Sequence, residues 1–294
     1  MDKPKVYFTK DISPEGLLKI YKALGAELHG KVGVKISTGE QGGHNYLHPE
    51  FIEKLVKYLD GTIVECCTAY GGSRQDPKLH WQTIKNHGFT DYFDVDIMDE
   101  FGEFEIPVSK GFHLPVDVVG EHMKNYDSFL VLSHFKGHMM GGFGGALKNI
   151  AIGFGSTRGK AYIHGAATTD DPSYVWSHLP PQDHFLESMA DACQAVINYV
   201  GRRNLAYVNV ANRLSVDCDC DSNPAEPEMA DIGIFASLDP VAIDQACVDA
   251  VYASTDPGKK ALIERMESRH GIHTIEAAVE LGVGNREYEL ISID

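Results

Sequence analysis

"YDSFLVLSHFKGHMMGGFGGALKNIAIG" runs from Tyr126 to Gly153. Its first part, residues 126–134, is a near-continuous apolar run rather than an alternation of apolar and polar residues. Alternation would mark a strand with one wet face, whereas a continuous run marks a strand covered on both sides, as in a parallel sheet. A glycine-rich turn follows, and "ALKNIAIG" then reads as a short helix. A buried strand feeding a loop and a helix is the building unit of an α/β fold.

The same alternation extends in both directions. Towards the N-terminus, "KVYF" (5–8) and "KVGVKIS" (31–37) read as strands around a helix in which Ser13 is the cap, Pro14 takes the first turn and Glu15 favours the dipole. A helix over 49–59, the strand "TIVECC" (62–67), a helix over 76–88 with Asp76 as cap, and strands in "DYFDVDIMD" (91–99) and "FEIPVS" (104–109) come next. Towards the C-terminus the pattern predicts a helix over 182–200, strands over 205–211 and 231–237, and a helix over 239–254 capped by Asp239. Helices near 258–269 and 273–281 then precede a final strand over 287–293. The expectation is an α/β protein with a largely parallel sheet, helices on both faces, and two lobes around a cleft joined by a linker near 168–183. Ligands of such sheets collect at the carboxyl ends of the strands. Three polar turns fall there: 37–49, 68–77 and the loop after 134.

The chain of 294 residues carries a formal net charge of −16. Such a surface repels phosphate backbones, which argues against nucleic acid and anionic membranes as partners. The N-terminal "MDKPKVYFTKDISPEG" has no apolar core of a secretory signal, so a cytoplasmic location is expected. The window 134–164 runs against the overall charge: it holds Lys136, Lys148, Arg158 and Lys160 and no Asp or Glu. A basic, glycine-rich window in an acidic protein points to a small anionic ligand.

The glycines fit neither nucleotide fingerprint. "GGFGGALKN" lacks the Lys-Ser/Thr ending of a P-loop, and "GFGSTRG" is one residue too long for the dinucleotide motif. What remains is a turn whose amides can hold an anion at the start of a helix, around Gly144, Gly145, Lys148 and Asn149. His134, Lys136 and His138 alternate, so on an extended segment they point the same way. Arg74, in "GGSRQDP", suits a bidentate carboxylate clamp, with a salt bridge as the competing role. Six cysteines include the run "DCDCD" over 217–221. Cys218 and Cys220 are expected as thiols in a reducing compartment; two thiolates alone do not fill a tetrahedral metal site, and an acidic strand end or turn is the plainer reading.

The stretches 133–160, "DCDC" (217–220), "DIGIFASLDPVAIDQAC" (231–247) and "VGNREYELI" (283–291) closely resemble the family catalogued as domain of unknown function 362, over nearly the whole chain. The resemblance implies one such domain over 1–294. Many members carry a ferredoxin-like insert with C-x-x-C runs that bind iron–sulfur clusters; this chain has none, so it departs from them at that point. More distantly, "HMMGGFGGALKNIAIG" (138–153) resembles the H-x-x-x-G-[FY]-x-G-G-x-K-x-I-x-x-G segment of nickel-pincer lactate racemases. Lys148 follows His138 by ten residues and precedes His164 by sixteen. The resemblance implies Lys148 as the covalent tether of a nucleotide-derived cofactor, His164 as a metal ligand and His138 as a proton-transfer base. It also marks a departure: the turn "AYGGSR" (69–74) keeps Arg74 but has Ser73 where racemases place a second basic histidine. Two-sided racemisation of lactate is not expected unless His44 or His80 substitutes.

The combined expectation is an enzyme or cofactor-binding protein acting on a small anionic metabolite by proton or hydride transfer, as an isomerase or oxidoreductase. Its catalytic residues would be His138, Lys148 and Arg74. Lys148, Lys136, Asn149, Arg158, Gly144 and Gly145 would bind a cofactor. His164, His134, Cys218 and Cys220 are the candidate ligands for nickel, zinc or iron. The alternatives are a redox protein related to the iron–sulfur members and using Cys218 and Cys220, or a non-catalytic ligand carrier.

Overall fold

A computed structural model describes residues 3–294. The chain opens with β1 (Lys5–Thr9), α1 (Pro14–Leu24), β2 (Val32–Lys35), α2 (Pro49–Tyr58), β3 (Thr62–Glu65), α3 (Pro77–Asn86), α4 (Phe89–Tyr92) and β4 (Val95–Ile97). The middle third holds β5 (Glu103–Pro107), β6 (Val116–Gly120), β7 (Ser128–His134), β8 (Lys136–His138), β9 (Gly142–Gly144), α5 (Ala146–Phe154), α6 (Thr157–His164) and α7 (Gln182–Val200). It closes with β10 (Leu205–Ala211), β11 (Gly233–Ser237), α8 (Pro240–Ala253), α9 (Lys259–Ser268), α10 (Ile272–Glu280) and β12 (Glu289–Ser292).

Eight strands form one sheet in the order β12-β1-β11-β10-β7-β2-β3-β4. Five neighbouring pairs are parallel, and β11 is antiparallel to both β1 and β10. The apolar run over 126–134 contains β7, at the middle of this sheet, and every residue of the strand is buried. Its side chains alternate between two cores. Phe129 and Val131 join the larger core, and Leu130 and Leu132 the smaller. The larger core takes Leu147, Ile150 and Phe154 of α5 together with much of α7 and α8, and the smaller takes Leu17 and Ile20 of α1 with Ile52 and Leu55 of α2. Helices therefore cover both faces, as the unbroken apolar pattern of β7 requires.

Local signals place the helix starts. Ser13 Oγ accepts from Gly16 N at 3.0 Å, Asp76 from Leu79 N at 3.0 Å, and Asp239 from Val241 N at 2.9 Å and Ala242 N at 3.0 Å. The structure departs from the sequence pattern in four places. The segment 91–99 begins inside a helix, α4, which Gly88, left-handed at φ 78°, starts, and only Val95–Ile97 are strand. The motif contains a small antiparallel hairpin, β8–β9, pairing Lys136 with Gly144 and His138 with Gly142. The strand β6 and the helix α6 were not visible as patterns.

The strand order reverses between β2 and β7: the chain steps outward through β3 and β4 on one side and to β10 on the other. At such a switch point the connecting loops diverge and leave a crevice beyond the carboxyl ends of the strands. Lys35 ends β2, Glu65 ends β3 and His134 ends β7, so all three open onto that crevice. Among the described residues no helix is long and apolar enough to cross a membrane.

Candidate functional site

A cavity of about 100 Å³ fills the crevice. It is lined by the ends of β2, β3 and β7, the β8–β9 hairpin, α5, and Lys160 and His164 of α6; Trp176 and the segment 218–220 close it. Five basic side chains (Lys35, Arg74, Lys136, Lys148 and Lys160) face two carboxylates, Glu65 and Asp219. The local excess of positive charge is opposite to the charge of the whole chain and favours an anion.

One wall is a closed ion network. Glu65 is buried, and its Oε1 accepts from Thr38 Oγ1 at 2.8 Å and from Arg74 Nη1 at 3.3 Å. Burial alone would raise its carboxyl, but Lys35 and Arg74 outweigh that and hold it well below the ordinary carboxylate range. Lys35 Nζ donates to Ile36 O at 2.5 Å and Asn149 Oδ1 at 3.2 Å, and lies 3.9 Å from Glu65 Oε2. Burial lowers its pKa to about 8 despite the carboxylate. Arg74 is also engaged on Glu40 (Nε to Oε2, 3.3 Å) and Tyr70 (Nη2 to Oη, 3.2 Å). The expected substrate clamp is thus a buried salt bridge, the competing role considered for it, because two carboxylates of the protein reach it first.

A second set of groups is also internally satisfied. Asp219 holds His134 Nδ1 at 2.9 Å and Lys136 Nζ at 2.7 Å; these two partners outweigh its burial and keep it ionised. His134 Nε2 meets Asn212 O at 2.6 Å. Both nitrogens of the His134 ring are engaged by protein groups, so neither is presented to the cavity as the expected metal-ligand role would need. The Asn149 amide donates to Lys35 O, Leu132 O and Ser133 Oγ at 3.1–3.2 Å and accepts from Lys35, so it ties β2 to β7 rather than presenting a free amide. The helix-start amides expected to hold an anion already do: Ala146 N and Leu147 N donate to the carboxylate of Asp244 at 2.7 and 2.9 Å. Gly145 is needed there, since a Cβ would lie 2.4 Å from Asp244 Oδ1. Gly144 lies beside Lys148, 3.4 Å from its Cδ to an added Cβ. Arg158 is outside the cavity, paired on the surface with Glu103, Glu105 and Asp170.

The remaining three groups are open. Lys148 Nζ has no hydrogen bond or ion pair among the described residues, and burial, then the charge of Lys136, lowers its pKa to about 7. His164 Nδ1 donates to Lys160 O at 2.7 Å, which leaves its Nε2 as a lone pair. Burial lowers its pKa to about 4, so the ring is neutral. His138 has the opposite tautomer: Nδ1 accepts from Met140 N at 3.2 Å and Gly141 N at 2.8 Å, so the neutral ring carries its proton on Nε2. Burial, then Lys148, then His164 push it well below the ordinary histidine range. The expected base is therefore a hydrogen-bond donor in this arrangement, and His164 is the group with a free lone pair.

Cys218 and Cys220 form a disulfide across one residue, in place of the expected thiols, so no thiolate is available to a metal while it persists. Ser73 Oγ and N both bind Glu40, while His44 is exposed and pairs with Glu226 at 3.1 Å. His80 is buried 3.9 Å from Glu65 and outside the cavity lining. The cavity thus gains no second basic histidine. The sequence reading missed Lys35, Glu65, Tyr70, Trp176 and the role of Asp219. A signal existed for the first two: each is a charge at the last position of an otherwise apolar strand, "VGVK" and "TIVE".

The sequence model of the family described as "Domain of unknown function (DUF362)" matches residues 32–249. No curated protein matches the chain. Among solved structures, the lactate racemase apoprotein from Thermoanaerobacterium thermosaccharolyticum is similar with a TM-score of 0.49 and 13% identity, over 84% of this chain and 57% of that one. A protein from Thermotoga maritima is similar with a TM-score of 0.43 and 12% identity, over 81% of this chain and 58% of that one. The chain spans a little over half the length of each.

Proposed function

We propose that this chain, which belongs to the family described as domain of unknown function (DUF362), is an enzyme that forms a covalent bond through Lys148 while handling a small anionic metabolite. The observation that carries this is an unpaired lysine amine, with a pKa of about 7, in a cavity where every other basic side chain donates to a protein acceptor. An amine half deprotonated near neutral pH is a nucleophile, and burial beside like charge is the usual way a lysine is made one.

The chemistry follows from the three open groups. The excess of positive charge draws in a carboxylate or phosphate. Lys148 attacks a carbonyl carbon and forms an imine with loss of water. The Nε2–H of His138, which lines the cavity 3.8 Å from Cys220 Sγ and has no protein oxygen as partner, steadies the oxygen as it gains charge. His164 Nε2 has the lone pair to take a proton from the neighbouring carbon. Only one such base faces the cavity, which favours a one-sided transfer over racemisation. The lysine-tethered, metal-bearing nucleotide suggested by the racemase resemblance is compatible with these residues: Lys148 has a free amine and His164 a free lone pair to hold it. When bound, such a group would supply an electron-pair acceptor next to the substrate carbon.

The test has two arms. Intact mass of protein from its native host reads any adduct on Lys148, with metal content measured on the same sample. For purified protein the probe is glyoxylate, an aldehyde carrying an anion, with borohydride to fix the imine. A stable adduct mapped to the Lys148 peptide is expected. Labelling no faster than at surface lysines, together with an unmodified native mass, would overturn the reading.

A further inference from the structure

The Cys218–Cys220 disulfide has no part in that chemistry, yet it borders the same cavity. Cys218 is buried and Cys220 half-buried, so one sulfur is more accessible than the other. Each sulfur has a hydrogen-bond donor. The backbone N–H of Cys220 points at Cys218 Sγ at 3.1 Å, and His138 Nε2, which carries the proton, lies 3.8 Å from Cys220 Sγ. Reactive cysteines are partly exposed and have groups beside them that stabilise a thiolate. Here these are the two N–H donors and the Lys148 amine across the cavity, set against Asp217, Asp219 and Asp221 of the segment itself, of which Asp219 is paired with Lys136. The other four cysteines are the opposite case: Cys66, Cys67, Cys193 and Cys247 are buried, and burial raises each thiol above its ordinary range.

We infer that Cys218 and Cys220 are a redox-active pair that exchanges with a dithiol reductant at the cavity mouth, Cys220 being the sulfur attacked. A donor thiolate attacks Cys220 Sγ. The S–S bond breaks, and its electron pair leaves on Cys218, where the Cys220 N–H receives the charge. The donor's second thiolate then displaces Cys220, whose thiolate is met by the Nε2–H of His138. Two electrons and two protons pass from the dithiol to the pair, and the donor leaves as a disulfide. Asp219 lies between the two cysteines and holds His134 and Lys136, so opening the ring frees the segment that clamps one wall of the cavity. This inference does not depend on the role of Lys148.

The test is differential alkylation of the folded, full-length protein, read by peptide mass. Without reductant, iodoacetamide leaves the 218–220 peptide unlabelled. After dithiothreitol under native conditions it takes two labels, with Cys220 modified about ten-fold faster than Cys218. The four buried cysteines stay unlabelled until the protein is denatured. His138→Gln is expected to move the pH midpoint of Cys220 alkylation upward, which a purely structural histidine would not do. Should His138→Gln fail to fold, Cys218→Ser gives a second readout: Cys220 alone then forms a mixed disulfide with oxidised glutathione. Resistance of the pair to dithiothreitol until unfolding, or equal labelling of all six cysteines, would overturn the proposal.

Discussion

The two sides of the cavity use the same residue types for different ends. On one side Lys35, Arg74, Glu40 and Glu65 are buried and joined by hydrogen bonds and ion pairs. On the other, Lys148 and His164 keep a nitrogen free, and His138 keeps an N–H free of any protein acceptor oxygen. Burial by itself therefore does not separate a structural charge from a chemical one. What separates them is whether the folded chain supplies a partner. A buried charge with its partners in place is expensive to disturb and chemically quiet. A buried base left without them is pushed towards its neutral form, which is the reactive one.

The sharpest way to break this contrast is Lys148→Met. Capture of glyoxylate at the cavity is expected to vanish, while the fold survives. Stability should rise, because the wild-type lysine is buried unpaired. The sign follows from its lowered pKa: between about 7 in the folded state and the ordinary lysine value of about 10.4, the unfolded chain binds the extra proton. Wild-type stability thus climbs with pH across that window, and the advantage of the Met variant is largest near pH 7 and shrinks towards pH 10. Denaturant unfolding at the two pH values measures it; an advantage that does not shrink would mean the lysine is paired after all.

The next effect tests the division of labour between the open groups. With pyruvate as the probe in deuterium oxide, imine formation at Lys148 acidifies the methyl protons, and His164 is positioned to remove them. His164→Asn is expected to slow deuterium exchange by about 10²–10⁴-fold, as loss of a general base does. Borohydride capture at Lys148 should persist in the same variant. Loss of both together would make His164 a structural support for the lysine rather than a base.

On the closed side the effect is on stability. Glu65→Gln removes the carboxylate shared by Lys35 and Arg74 and leaves both cations buried without it. A loss of about 3–5 kcal/mol is expected from denaturant unfolding. Where the variant still folds, capture at Lys148 should remain within a few-fold of wild type. A stability change near zero would show that Glu40 and Tyr70 alone satisfy Arg74, and the two walls would then differ less than their contacts suggest.

How much of this was legible beforehand depended on whether the signal was local. The covered strand over 126–134, the caps at Ser13, Asp76 and Asp239, and the convergence of three loops at strand ends are all written in short stretches, and each holds in the structure. The grouping of His138, Lys148 and His164 came instead from the racemase resemblance, and all three line the one cavity. Partnership was not legible. Nothing in "GGSRQDP" says that Glu40 and Glu65 reach Arg74, and nothing in "SHFKGH" says that Asp219, over eighty residues later, takes up His134 and Lys136. The tautomers of His138 and His164 depend on single backbone groups, and no residue pattern records them. The basic window looked uniform as sequence because charge is counted there without its partners.

The pH dependence of capture gives a smaller but more diagnostic effect. Only the neutral amine attacks a carbonyl, so the initial rate of imine formation at Lys148 should rise with pH and level off above about 7, its midpoint there. Below the midpoint it should fall about ten-fold per pH unit. Surface lysines, labelled in parallel, should still be rising at pH 9. A bound anion, such as added phosphate, stabilises the charged amine and should shift the Lys148 midpoint upward. A midpoint that phosphate leaves unmoved would place the anion site away from the lysine.

Arg158 supplies the smallest effect and completes the contrast, because it comes from the same basic window yet lies on the surface. Its guanidinium reaches Glu103, Glu105 and Asp170, all partly exposed to solvent. Exposed pairs of this kind contribute a median of about 0–1 kcal/mol, and many contribute nothing measurable, since water already solvates both partners. Arg158→Ala is therefore expected to lower stability by no more than about 1 kcal/mol, less so at high salt, and to leave both the rate and the pH midpoint of Lys148 capture unchanged. A shift in that midpoint would mean that the surface network sets the potential inside the cavity. The charge excess would then belong to the whole loop, and the distinction between open and closed groups would lose its ground.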